Sequence, residues 1–226
     1  IEYFVSVRGS DLDNQISDTT TSDGFQFDFI PPVIDTIMEI QASIDMDYLG
    51  DSTNVEFFWS GSDNASGMLY YQYALALEGS IVLDWVSTGL DTFAIISSFP
   101  FVEGKTYNLL VRAIDVAGNF SESFSGDGFL IDYTPPHVGT VFDGSIDDIS
   151  YMGSDSSYSG RWSGFYDDVS GIDYFEITLG NDQESSEIID WEPAGLDTFV
   201  NLTGLILQNG QTYFLSIRAV HVAGNI

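Results

Sequence analysis

Three copies of one short segment constrain this chain more than any other feature. They are Tyr3-Phe-Val-Ser-Val-Arg8, Tyr107-Asn-Leu-Leu-Val-Arg112 and Tyr213-Phe-Leu-Ser-Ile-Arg218, at offsets of 104 and 106 residues. A second block, Asp23-Gly-Phe-Gln-Phe-Asp28 through Pro31-Pro32, recurs as Asp127-Gly-Phe-Leu-Ile-Asp132 through Pro135-Pro136. A third pairs Trp85 and Gly89-Leu-Asp-Thr-Phe93 with Trp191 and Gly195-Leu-Asp-Thr-Phe199. A fixed period sets the architecture before any local motif is read, and here the period is the size of a whole domain. The expected organisation is the end of one repeat at 1–32, a complete repeat at 33–136, and a repeat lacking its last strand at 137–226.

Within each repeat, apolar residues alternate with a period of two in short runs, such as Val55, Phe57, Trp59 and Tyr107, Leu109, Val111. Turn clusters of Gly, Asp, Asn and Ser separate the runs, and no long stretch holds a 3.6-residue period. This pattern predicts an all-β fold of tandem β-sandwiches with about seven strands per unit. In the complete repeat the strands are expected near 34–40, 54–60, 68–76, 80–86, 91–97, 106–114 and 127–133.

The chain carries 35 acidic and five basic residues, a net charge of −30. Such a field repels nucleic acid phosphates and anionic lipid headgroups, so neither nucleic acid nor direct membrane insertion is expected. It attracts divalent cations. With 44% hydrophobic and 15% aromatic residues, the chain has the composition of a packed protein and not of an acidic disordered tail. It holds no cysteine, so each repeat must stand on its core. No phosphate loop, dinucleotide motif or Cys/His metal set is present, and the two histidines lack a Ser or Cys nucleophile context. An enzyme is not expected.

Several motifs resemble the fibronectin type III family. Trp59 followed by Ser-Gly-Ser-Asp-Asn-Ala-Ser-Gly-Met68, then Tyr71 and Tyr73, is similar to that family's B strand, BC loop and C strand. Trp162, Ser170-Gly-Ile172, Phe175 and Ile177 repeat the match. Glu103-Gly-Lys-Thr-Tyr107 and Asn209-Gly-Gln-Thr-Tyr213 resemble its turn into strand F, where the tyrosine forms a corner. Arg112-Ala-Ile-Asp-Val-Ala-Gly-Asn119 and the linker Asp132-Tyr-Thr-Pro-Pro136 resemble the tandem Ig-like and fibronectin-like repeats of large bacterial surface proteins. The resemblance implies an extracellular or cell-surface segment serving as stalk or filament in adhesion or surface motility. The partners would be neighbouring repeats of the same chain and a surface glycan or protein. The alternatives are a carbohydrate- or protein-binding module, or spacer repeats of a larger secreted enzyme.

In such a sandwich the BC and FG loops lie where the preceding domain arrives. The resemblance therefore implies one gathering of Asp28, Asp63, Asp115 and Asn119, and a second of Asp132, Asp167 and Asp168 with Asn225 nearby. Oxygen-rich sets of this kind suit Ca²⁺. The last repeat departs from the pattern, with His221 where Asp115 stands in the one before. The four tryptophans, Trp59, Trp85, Trp162 and Trp191, are expected in cores, with a sugar-stacking platform as the functional alternative. Arg8, Arg112 and Arg218 are expected to pair with carboxylates beside strand F.

Overall fold

A computed structural model describes residues 1–41, 44–50 and 54–226. Every regular element among them is a β-strand. Among the described residues no helix is long and apolar enough to cross a membrane. The chain divides into two compact units. One gathers Ile1–Ile40, Glu56–Ile95 and Asn108–Asp127, and the other Gln41–Val55, Ile96–Tyr107 and Gly128–Ile226.

The first residues form two nested antiparallel pairs: β1 (Glu2–Tyr3) with β4 (Phe25–Gln26), and β2 (Ser6–Val7) with β3 (Thr20–Thr21). The bridge Ser10↔Ile16 closes their tip, and Ile114↔Phe120 repeats it one period later.

The residues of the middle repeat supply β5 (Val33–Gln41), β6 (Ile44–Asp45), β7 (Tyr48–Leu49), β8 (Asn54–Ser62) and β9 (Met68–Leu77). They go on to β10 (Ser80–Gly89), β11 (Phe93–Ser97), β12 (Thr106–Asp115), β13 (Phe124–Ser125) and β14 (Phe129–Ile131). All seven expected strands form, the last shortened to three residues. The pair β6 and β7 was not expected, because two-residue strands leave no periodic signal. Its role is structural: β7 runs parallel to β14, with Leu130 opposite Tyr48 and Ile131 opposite Leu49.

Alternation on β8 places Phe57 and Trp59 inward and Glu56, Phe58 and Ser60 outward. The inward Trp59 ring meets Tyr71 and Tyr73 of β9, both at 6.2 Å, while its backbone N–H donates to Thr92 O at 3.0 Å. Strand β8 pairs with β5 (Ile37↔Trp59, Met38↔Phe58) in one sheet, and β9 belongs to the other. The aromatic contact therefore joins the two layers of a sandwich.

The third repeat follows the same order with β15 (Thr140–Asp143), β16 (Ser157–Ser163), β17 (Ile172–Gly180), β18 (Ile189–Gly195), β19 (Phe199–Thr203) and β20 (Phe214–His221). One sheet is β15-β16-β19, the other β18-β17-β20. Between them pack Tyr158, Trp162, Phe175, Ile177, Leu179, Leu202, Leu215 and Ala219, all buried. Trp162 N–H donates to Thr198 O at 2.9 Å, repeating the Trp59 bond. In both repeats the turn before the matching phenylalanine begins with a left-handed glycine, Gly89 (φ 63°) and Gly195 (φ 61°). That backbone region is costly for residues with a Cβ, which accounts for the repeated Gly-Leu-Asp-Thr-Phe. The β9–β10 and β17–β18 hairpins each carry register shifts, so the outermost strand of each of these sheets is bulged.

Two expectations about side chains need correcting. Trp59 and Trp162 are buried, but Trp85 and Trp191 are only partly so and lie on outer strands. Each is covered by an arginine: Arg112 Cζ lies 4.1 Å from the Trp85 ring centroid and Arg218 Cζ 4.3 Å from that of Trp191. The tryptophan is half-buried because its other neighbour is a guanidinium that must keep contact with water. The guanidinium Nε then donates to Gln72 Oε1 (2.9 Å) in one repeat and Glu176 Oε2 (2.6 Å) in the next. Only the second of these is the expected carboxylate pair.

The tyrosine corners form in both repeats. Tyr107 Oη accepts the N–H of Val102 at 3.1 Å, and Tyr213 Oη accepts that of Gln208 at 2.9 Å. Tyr107→Phe leaves the Val102 N–H without its partner and is expected to cost about 1–3 kcal/mol. Tyr213→Phe, whose Gln208 N–H lies at the exposed surface, is expected to cost less. Urea unfolding followed by tryptophan fluorescence measures both.

Candidate functional site at the linkers and loops

Each linker aspartate closes two loops. Asp28 accepts the N–H of Ile30 at Oδ1 (3.0 Å) and that of Ser66, in the loop after β8, at Oδ2 (2.9 Å). Its backbone carbonyl accepts the Asn119 side-chain amide from the loop after β12 (3.1 Å). One period later Asp132 Oδ2 accepts the N–H of Ser170 (3.0 Å), and its carbonyl accepts the Asn225 amide (3.1 Å). Asp28 is partly buried and Asp132 fully so, and the carboxylate and carbonyl of each take up loop donors that burial would otherwise leave unpaired.

A second acid organises the loop after β8. Asp63 Oδ2 accepts the N–H groups of Ala65 (3.1 Å) and Gly67 (2.7 Å). Its counterpart Asp167 collects three at Oδ1, from Val169 (3.0 Å), Ser170 (2.8 Å) and Gly171 (2.8 Å). Partial burial works against the Asp167 charge. The N–H donors of Gly171, Val169 and Ser170, helped by His221, outweigh it and hold the carboxyl below its ordinary value. The Asp28 carboxyl is also lowered, by Ser66 first and by the Ile30 N–H.

The third member differs between the two places. Asp115, fully buried, accepts the backbone N–H of Asn119 at Oδ1 and its amide at Oδ2, both at 2.8 Å. His221, also fully buried, takes over the first of these bonds: its Nε2 accepts the Asn225 N–H at 3.1 Å. Around Nδ1 stand Ser170 Oγ at 2.7 Å, Asp132 Oδ2 at 3.2 Å and the Ala223 N–H at 3.2 Å.

The structure therefore brings Asp28, Asp63, Asp115 and Asn119 together, with one ligand oxygen from each acid within 4.8 Å of the others. It also brings Asp132 and Asp167 together, within the same distance of His221 and beside Asn225. Asp168 stays outside this group, pairing with His137 Nε2 at 3.5 Å on the exposed surface. Asp63 Oδ1 is buried without a hydrogen-bond partner. Three carboxylates with one unsatisfied oxygen offer the hard-oxygen chemistry of a calcium ligand set. The second group offers imidazole nitrogen and has an internal donor for Asp132. On sequence alone His221 is only a departure from the pattern. Its offset of 106 from Asp115 was the signal that it would occupy the same place.

No protein-family model matches the sequence, and neither does any curated protein. Solved structures do match. The three-domain FN1–FN3 segment of chicken CNTN1 aligns with a TM-score of 0.43 and 12% identity, over 96% of this chain and 72% of that one. A two-domain fibronectin type III segment of chicken tenascin aligns at 0.29 and 12%, over 84% of this chain and 89% of that one. The fold stands on the strand order and registers described above. It is all-β, built of fibronectin type III-like sandwiches.

A carboxylate whose folded pKa is depressed adds stability above its ordinary pKa, and that stability is lost as pH falls through the lower folded value. The unfolding free-energy difference between the protein and its Asp167→Asn variant is therefore expected to be full at neutral pH. It should shrink as pH drops below the ordinary aspartate value of 3.8. Urea titrations at stepped pH check this.

Proposed function

We propose that the chain is a non-enzymatic repeat segment of a long secreted or surface-anchored bacterial protein, acting outside the cell as a stalk or filament in adhesion or surface motility. The observation that carries this reading is the repeated stitch, in which Asp28 and Asp132 each bind both loops of the repeat that follows them. A linker tied down by its carboxylate and its carbonyl has few conformations left, and the Pro-Pro pair after it fixes φ. Repetition of such a joint favours transmission of force along an array over chemistry at one place. The high acidic charge keeps neighbouring arrays apart.

Within the same reading, Ca²⁺ braces the first of these joints through Asp28, Asp63 and Asp115. The buried, unpaired Asp63 Oδ1 supports it. The cation would neutralise three crowded carboxylates and hold both loops to the linker. At the second joint the His221 imidazole already partners Asp132, so the proposal is confined to the first.

With about 10 mM Ca²⁺ and a Kd of about 10⁻⁴ M, binding would add about 2.7 kcal/mol. Thermal unfolding in EGTA and then in Ca²⁺ should show a rise in Tm that Asp63→Asn abolishes. An unchanged Tm would remove calcium from the joint. Small-angle scattering tests the stalk itself: the protein should remain extended, and Asp28→Ala with Asp132→Ala should broaden its distance distribution. A distribution that is compact from the start would overturn the stalk reading.

A further inference from the structure

The outer face of the β5-β8-β11 sheet carries an apolar ladder that the stalk reading does not use. Met38 is 43% exposed, Phe58 37%, Phe93 48% and Ile95 48%. They form one group, because Met38 stands opposite Phe58 in register and the Phe58 and Phe93 rings stack at 6.2 Å. Glu56 points out from the same face of β8, two residues from Phe58.

The third repeat shows what such a face does with a cation. Its matching positions are Phe142, Arg161 and Phe199, with Arg161 opposite both phenylalanines in register. Arg161 Cζ lies 4.2 Å from the Phe142 ring centroid. Guanidinium groups also cover Trp85 and Trp191. Three of the four arginines, Arg112, Arg161 and Arg218, thus lie on an aromatic ring. At the centre of the middle face Phe58 replaces the arginine, and among the described residues no cation is recorded over the Phe58 or Phe93 ring.

We propose that this face docks a basic, arginine-bearing polypeptide segment whose guanidinium groups stack on Phe58 and Phe93 while its apolar side chains cover Met38 and Ile95. Charge complementarity selects this occupant. A second copy of the chain would bring another −30 to the contact and only five basic residues, whereas a cationic segment is steered in by the acidic field. Planar guanidinium suits ring stacking better than lysine ammonium does. An extended segment with alternating arginine and apolar residues presents both kinds of group at strand spacing.

The test is fluorescence anisotropy of a labelled synthetic peptide alternating arginine and leucine, with an all-arginine peptide as electrostatic control. Salt is set at about 0.15 M and then about 0.5 M NaCl to screen long-range attraction. Phe58→Arg reproduces the arrangement of the third repeat, and Phe58→Ser with Phe93→Ser removes the rings. Both variants are expected to weaken the alternating peptide by about tenfold or more, the loss persisting at high salt. The all-arginine peptide, held mainly by the acidic field, should lose less affinity to either variant and most of its affinity to high salt. Circular dichroism melts of each variant establish folding, and Phe58→Tyr should retain binding. Equal affinity for protein and variants would overturn the proposal, as would self-association abolished by Phe58→Arg without any difference in peptide binding.

Discussion

Two loops of each repeat depend on one aspartate of the linker before it. Asp28 and Asp132 present a carboxylate to the loop after one strand and a carbonyl to the loop after another. Left alone, a loop such as 62–67 or 116–119 would need water for its N–H groups and would sample many conformations. Tied to the linker, it has one. Asp63 and Asp167 hold the loop from inside, and Asp115 and His221 hold the other. The order of these loops is therefore borrowed from the segment that precedes the sandwich.

Much of this was legible in the sequence because repetition separates constrained positions from free ones. The strands of the middle repeat follow from alternation, the corner tyrosines from Glu103-Gly-Lys-Thr-Tyr107, and the two inward tryptophans from their place among period-two neighbours. The fibronectin-like resemblance placed the loops at one end of the sandwich, where Asp28, Asp63 and Asp115, and Asp132 and Asp167, do meet, but it also placed Asp168 there, which pairs with His137 instead. What stayed hidden depends on directions that a sequence does not carry. Asp28 and Asp132 serve backbone N–H groups that any residue could have supplied. The arginine over Trp85 needs the spacing between strands β10 and β12, which lie 27 residues apart at those positions. His221 could be aligned with Asp115, yet only geometry shows that its Nε2 reproduces the job of a carboxylate oxygen.

Positive charge is scarce, and three of its five carriers share one kind of placement. Arg112, Arg161 and Arg218 each lie on an aromatic ring that faces outward. A cation there does two things at once. It covers apolar area that a surface tryptophan or phenylalanine would expose, and it keeps its own head in water. The acids, in contrast, gather where loops need acceptors. The result is a division of labour in which carboxylates organise the ends of a sandwich and guanidinium groups finish its faces.

The irregular pairing of β9 with β10, and of β17 with β18, bears on the behaviour of many such chains side by side. A regular outermost strand offers a row of free donors and acceptors on which another sheet can grow. The register shifts in these hairpins break that row and increase the local twist. A second molecule that meets the β10 or β18 edge therefore finds no continuous row on which to extend that sheet. Along those two edges, copies held close together would keep their sheets separate.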